Sequence, residues 1–250
     1  MKRGFGDLFN DSVGELKNNF KLTSKVVFLL YFIPLILVSI FQIILYINTG
    51  YFSYDLLDFE MEFPFSFLFD LFLGIFYVLM ASSLVYFSLQ KKKINFNETL
   101  EGGKKYFWAF VGLFILIGLF VSLWSLLFII PGIIFAIYWI LSEYLLIDKK
   151  STIWESMRSS KKLIKGNWWR TFGFVILIAI FTLIISFVFS IPEGIFGSFL
   201  KLRMAMGIIP STIQLVWLEI FALISSLAYF VVVPFTIFFY KNLYLNLKKK

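Results

Sequence analysis

Long apolar runs alternate along this chain with short segments rich in Lys and Arg. Residues 26–47 form a charge-free run bounded by Lys25, and further runs cover 63–89, 106–130, 132–147, 171–191 and 213–240. Most reach about 20 residues, the length needed to cross a hydrocarbon core of roughly 30 Å as a helix. None shows strand-like alternation over its length. The pattern predicts an all-α polytopic membrane protein with six transmembrane helices.

The third and fourth runs are separated only by Pro131-Gly132. As one helix, 106–147 would extend about 63 Å, twice the core thickness. Both of its flanks are basic, which places them on one side of the membrane. The two runs are therefore expected to form a hairpin that turns at Pro131 and Gly132, where Pro ends the hydrogen-bond ladder and Gly accepts turn dihedrals.

Charge sets the expected orientation. Of the 23 basic residues, 21 flank the spans on the side that holds both termini, and only Lys201 and Arg203 fall on the other. The positive-inside rule then puts both termini in the cytoplasm of a cell-membrane protein. The first span has no small-x-small cleavage site after it and reads as a retained signal anchor. A net charge of +8 is thus a one-sided membrane signature, and no nucleic-acid partner is expected.

Three cytoplasmic segments resemble one another: FNDSVGELKNNF from Phe9, FNETLEGGKKYF from Phe96 and IWESMRSSKKLI from Ile153. Each carries an acid (Asp11, Glu98, Glu155), then a hydroxyl (Ser12, Thr99, Ser156), and later a Lys (Lys17, Lys104, Lys161). Their apolar or small positions follow helical spacing, and Asn95 with Glu98 and Thr152 with Glu155 fit capping boxes. Residues 1–250 are therefore read as one membrane domain of three pseudo-repeats, about 5–90, 92–148 and 150–245. Each would be a transmembrane hairpin preceded by a short amphipathic interfacial helix.

Within this frame the segments LWSLLFIIPGI and DKKSTIWESMRSSKKLIKGNWWRTF supply a pattern carried by Pro131, Gly132, Asp148, Glu155, Ser160, Gly166, Trp169 and Phe172. The pattern resembles a broad group of multi-pass families that includes the membrane domain of glycerophosphoryl diester phosphodiesterases and uncharacterised prokaryotic integral membrane proteins. The resemblance implies a six-helix fold and no established catalytic residues. Its phosphodiesterase members carry catalysis in a separate soluble domain with acidic and His residues. No such domain is recognised in this chain.

Composition narrows the chemistry. The chain is 60% hydrophobic and 21% aromatic, with 15% charged residues, no Cys and no His. Disulfides and thiolate metal sites are excluded, and general acid–base chemistry would rest on Asp or Glu alone. No Walker loop, dinucleotide fingerprint, nucleophile elbow or zinc motif is present. No enzymatic activity, cofactor or metal is expected.

Three carboxylates fall within or beside the spans. Glu143 is expected near the inner boundary, paired with a neighbouring Lys. Glu219 and Asp70 are expected at outer depth, within reach of Lys201 or Arg203 in a buried ion pair. The acidic loop holding Asp55, Asp58, Glu60 and Glu62 lacks calcium-loop spacing and reads as what the orientation rule leaves outside. Residues 191–212, broken by Pro192 and Pro210, are expected as an outer interfacial or re-entrant element.

The densest basic and aromatic cluster is Lys161, Lys162, Lys165, Trp168, Trp169 and Arg170, a candidate headgroup site. The expected function is non-enzymatic: basic interfacial helices acting on anionic lipid, or on a cytoplasmic or membrane protein partner. The alternative is a small transporter or channel subunit that uses the intramembrane carboxylates.

Overall fold

The computed structural model describes residues 3–49 and 63–248. The acidic loop with Asp55, Asp58, Glu60 and Glu62 lies outside them. All regular elements among the described residues are helical: α1 (Phe5–Val27), a π-helical turn (Phe28–Phe32), α2 (Ile33–Thr49), α3 (Phe63–Leu89), α4 (Phe96–Leu127), α5 (Ile129–Trp139), α6 (Ser142–Asp148), α7 (Ile153–Ile164), a 3-10 turn (Lys165–Asn167), α8 (Trp168–Ala205), α9 (Thr212–Ser226) and α10 (Tyr229–Lys248). Six stretches are long and apolar enough to cross a membrane. The six-span expectation agrees with them.

The described residues fall into two compact units. One gathers those within Met1–Val26, Val78–Phe181 and Val233–Lys250, the other those within Val27–Tyr77 and Thr182–Val232. Their borders fall within α1, α3, α8 and α10.

In the first unit, α4 starts from a complete capping box. Glu98 N–H donates to Asn95 Oδ1 at 2.9 Å, and Asn95 N–H donates to Glu98 Oε2 at 2.7 Å. The helix then continues through Leu127 without a break. The second amphipathic segment is thus the opening of a span helix, and the first likewise lies inside α1. Neither segment contains a Pro, and their Gly residues do not interrupt the ladder. Only the third forms a separate helix, α7, which ends before Lys165–Asn167, the 3-10 turn containing Gly166.

The hydroxyls Ser12, Thr99 and Ser156 are all fully buried. Each satisfies itself on a backbone carbonyl one turn back: Leu8 at 2.6 Å, Asn95 at 2.8 Å and Ile153 at 2.7 Å. Around them the first unit is dense in aromatic contact, with Phe9 edge-on to Phe181 at 5.1 Å and to Phe235 at 5.2 Å. Lys241, buried on α10, donates to both oxygens of Glu15 at 2.5 and 2.6 Å. The Arg3 guanidinium hydrogen-bonds Asp11, ahead of the first apolar run, and holds its carboxyl below the usual carboxylate range.

The turn between the third and fourth spans is not at Pro131 and Gly132. It is Phe128, one extended residue (φ −157°, ψ 133°) that ends α4 and starts α5. Pro131 sits in the first turn of α5, where its missing N–H costs no intrahelical bond. Gly132 serves close packing instead. A Cβ there would meet Ser125 Oγ at 2.0 Å and Ser125 Cα at 3.3 Å. α5 packs back on α4 through Trp124 stacked on Phe135 (5.0 Å, 22°) and Phe120 beside Trp139. Leu126, Phe128, Ile129 and Ile130 stand exposed at this turn.

In the second unit, the expected break at Pro192 is also absent. α8 runs through Pro192 as far as Ala205. Gly207 then adopts φ 76°, Gly207 N–H reaches Met204 O at 2.9 Å, and Ile208 N–H reaches Arg203 O at 3.0 Å. This pair of bonds around a left-handed glycine is a Schellman closure. Ser211 with Gln214 restarts the chain as α9 through a capping box. Tyr46 Oη donates to Pro210 O at 2.8 Å and fastens the reversal to α2. Leu200, Leu215 and Leu218 form the local core.

Candidate functional site

Each unit holds a concave site lined by residues singled out from sequence. The first is built on α7 and the start of α8. Thr152 caps α7: its N–H donates to Glu155 Oε2 at 3.0 Å, and its hydroxyl accepts from Glu155 N–H at 3.4 Å. The bond from the Thr152 N–H holds the Glu155 carboxyl below its ordinary range. Ser156, Met157, Ser160 and Ile164 face inward, and Ser160 Oγ donates to Tyr138 O at 2.7 Å, fixing α7 against α5. That leaves Lys161 and Lys162 on the exposed face.

After the 3-10 turn, the Trp168 ring stacks on Phe172 (5.1 Å, 11°) and its Nε1 donates to Ile134 O at 3.4 Å. Trp169 stands edge-on to it at 4.8 Å and is 78% exposed. A groove of about 890 Å³ results, floored by Ile130, Ile133 and Ile134 and rimmed by Lys165, Trp168, Trp169 and Arg170. Four of the six sequence-selected residues therefore converge. Lys161 stands at the edge, its Nζ 5.2 Å from the Phe135 ring centroid and 5.6 Å from that of Tyr138. Lys162 does not line the groove.

Arg170 is partly committed. It donates to the Arg3 carbonyl, its guanidinium lies 5.1 Å from the Phe174 ring, and its Nη1 is buried without a hydrogen-bond partner. The α5 floor was not singled out from sequence, because nothing in an apolar run marks which face a neighbouring helix leaves open.

The second site is a cavity of about 720 Å³ within the other unit. Asp70 on α3, Glu193 on α8 and Glu219 on α9 all line it. Glu219 is only 4% exposed; the Ser39 hydroxyl faces its carboxyl as a hydrogen-bond partner, while Oε1 has none. Tyr31 from the π-helical turn lies parallel to Tyr229 at 4.3 Å on the same lining. Among the described residues no Lys or Arg contributes to the walls.

The buried ion pair expected for Glu219 or Asp70 is not formed. Among the described residues the ion pairs are Arg3–Asp11, Lys241–Glu15 and Lys248–Asp148. Arg203 is drawn to the Phe199 ring at 5.8 Å, on its own helix one turn back. The Lys partner expected for Glu143 is also absent. Glu143 opens α6 half-buried, whereas the nearby Asp148 takes Lys248 and the Tyr244 hydroxyl. Glu143 belongs to the first unit and Glu219 to the second, so they form no dyad within either.

Sequence reasoning passed over Glu193, Ser39 and Gln42 as cavity residues. The signal was present in the cost of a polar side chain inside an apolar span. Comparison with protein-family models, curated proteins and solved structures returns no match for this chain.

Proposed function

We propose that this is a non-enzymatic, six-span membrane protein that binds anionic lipid headgroups on its basic face. The observation that carries this reading is the groove in which Lys165 and Arg170 rim two Trp rings over an isoleucine floor. A lipid phosphate needs cationic donors beside an apolar wall for its chains, and the Trp pair matches headgroup depth. The unpartnered Arg170 Nη1 adds a donor in want of an acceptor oxygen. A second basic concavity of about 570 Å³, with Lys21, Lys25, Lys91, Lys92 and Lys93, adds to the same surface charge.

In this reading both termini are cytoplasmic in a cell membrane, and three amphipathic lead-ins introduce three hairpins as copies of one unit. The matched burial of Ser12, Thr99 and Ser156 supports that repeat. The likeness to the phosphodiesterase membrane-domain group rests on residues 123–172 and adds no catalytic role.

The test replaces Lys165 by Gln, with Lys162→Gln as the control outside the groove. Each basic residue near an anionic surface is worth about 1 kcal/mol, a loss of roughly fivefold in anionic-lipid retention at low salt that both variants share. K165Q should lose about tenfold more, because it also removes a charge-assisted hydrogen bond of about 1.5 kcal/mol at the groove. Native mass spectrometry or lipid extraction reads the result. Equal losses in the two variants, or retention unchanged by salt, would refute a headgroup site at the groove.

A second reading, a small transporter or channel subunit, is favoured by one observation: the carboxylate-lined cavity of the second unit.

A further inference from the structure

We infer that the cavity of the second unit is a binding site for a small organic ammonium ion. Carboxylates from three helices reach its wall, and among the described residues no Lys or Arg side chain does. Glu219 is nearly fully buried, yet one of its oxygens accepts nothing. A buried carboxylate with no cation beside it carries a desolvation cost that the positive charge of a bound ligand offsets. Asp70 and Glu193 extend the same sign of charge across the cavity, so the ligand that fits them is a cation.

The cavity's size and walls separate an organic cation from a bare metal ion. Among the described residues no three carboxylates come close enough together to hold a metal. About 720 Å³ is far more than one ion fills, and lies within the range of small-molecule pockets. The parallel rings of Tyr31 and Tyr229, with Phe69 and Phe187, give apolar and π-rich walls. Aromatic faces attract alkylammonium groups, most strongly where water is excluded. A metal ion would be served better by more oxygen ligands and gains nothing from these rings.

The assignment names a ligand class for the transporter reading, but requires only binding; transmembrane flux would test that reading separately. The experiment uses the full chain purified in detergent, with choline as the probe. Its uncharged isostere 3,3-dimethylbutan-1-ol and sodium chloride at equal ionic strength are the controls. Calorimetry or the thermal midpoint should show saturable binding of choline alone. Glu219→Gln keeps the shape and removes the charge, and Asp70→Asn does the same at an exposed position. Glu219→Gln should weaken choline by about tenfold or more, since truncating one partner of a desolvated charge pair costs more than one decade, and Asp70→Asn should weaken it by a smaller factor. Binding of the neutral alcohol as tightly as choline, complete displacement by sodium, no choline binding, or undiminished affinity in both variants would each overturn the site. Choline binding without flux would leave the ammonium site standing and remove the transporter reading.

Discussion

Replacing Gly103 by Ala tests the closest approach between α3 and α4. A Cβ on Gly103 would lie 1.9 Å from Ser83 Oγ and 2.8 Å from both Cα and Cβ of Ser83. Rotating Ser83 would clear its hydroxyl, at the loss of a 2.7 Å bond to Leu79 O, but would leave the backbone contact. Ordinary carbon contacts lie at about 3.5–4.0 Å, so the helices must part by roughly 1 Å. Parting them also stretches the 3.1 Å bond from Ser82 Oγ to the Gly103 carbonyl. Overpacking of this kind costs about 1–3 kcal/mol, and a strained hydrogen bond up to about 1 more. Removing a glycine from a helix interior returns about 1 kcal/mol, which leaves a net loss near 2. Gly14→Ala is the matched control, because nothing lies within 4 Å of its Cβ position. That variant should gain about 0.5–1 kcal/mol. Unfolding in mild detergent titrated with SDS, followed by Trp fluorescence, measures both. A Gly103→Ala protein as stable as the parent would show that the two helices do not meet at this contact.

Glu15→Gln should destabilise the fold by about 3 kcal/mol, because it strands the buried Lys241 ammonium. Adding Lys241→Met should recover most of that loss, and the same SDS titration reads both steps; no recovery would mean that Glu15 acts elsewhere. Cysteines placed at Asp58 and Lys92 of this Cys-free chain report topology. An impermeant thiol reagent added outside intact cells should label position 58 and spare position 92, and the reverse pattern would overturn the orientation.

The spans were legible because charge inside hydrocarbon is costly enough to leave long clean runs. Their interruptions were less legible. Pro131 and Pro192 were both read as breaks, yet Pro131 sits where a helix has no ladder bond to lose, and α8 runs on through Pro192. Gly132 was read for its dihedral freedom, while the structure uses its missing side chain for contact with Ser125. The actual turn, Phe128, has nothing in its residue type to announce it. At the sites, the Lys165–Arg170 cluster was readable because it is contiguous in sequence. The cavity was not, since Ser39, Asp70, Glu193 and Glu219 come from four helices and meet only through packing. The pairing of Glu219 with a cation was the natural guess from cost alone. The fold instead spends Arg203 on Phe199 and leaves the carboxylate on the cavity lining without a cation.

The turn at Phe128 bears on how this part of the chain enters a bilayer. Leu126, Phe128, Ile129 and Ile130 at its tip are 71–83% exposed and entirely apolar. A helix pair with a polar loop must drag that loop through hydrocarbon, at several kcal/mol for each unsatisfied group. Here the side chains at the leading edge of α4 and α5 are all apolar, and a single residue of extended backbone joins the two helices. The pair can therefore enter tip-first with no charged residue at its leading edge, and a Phe128→Asp change would make that step the costly one.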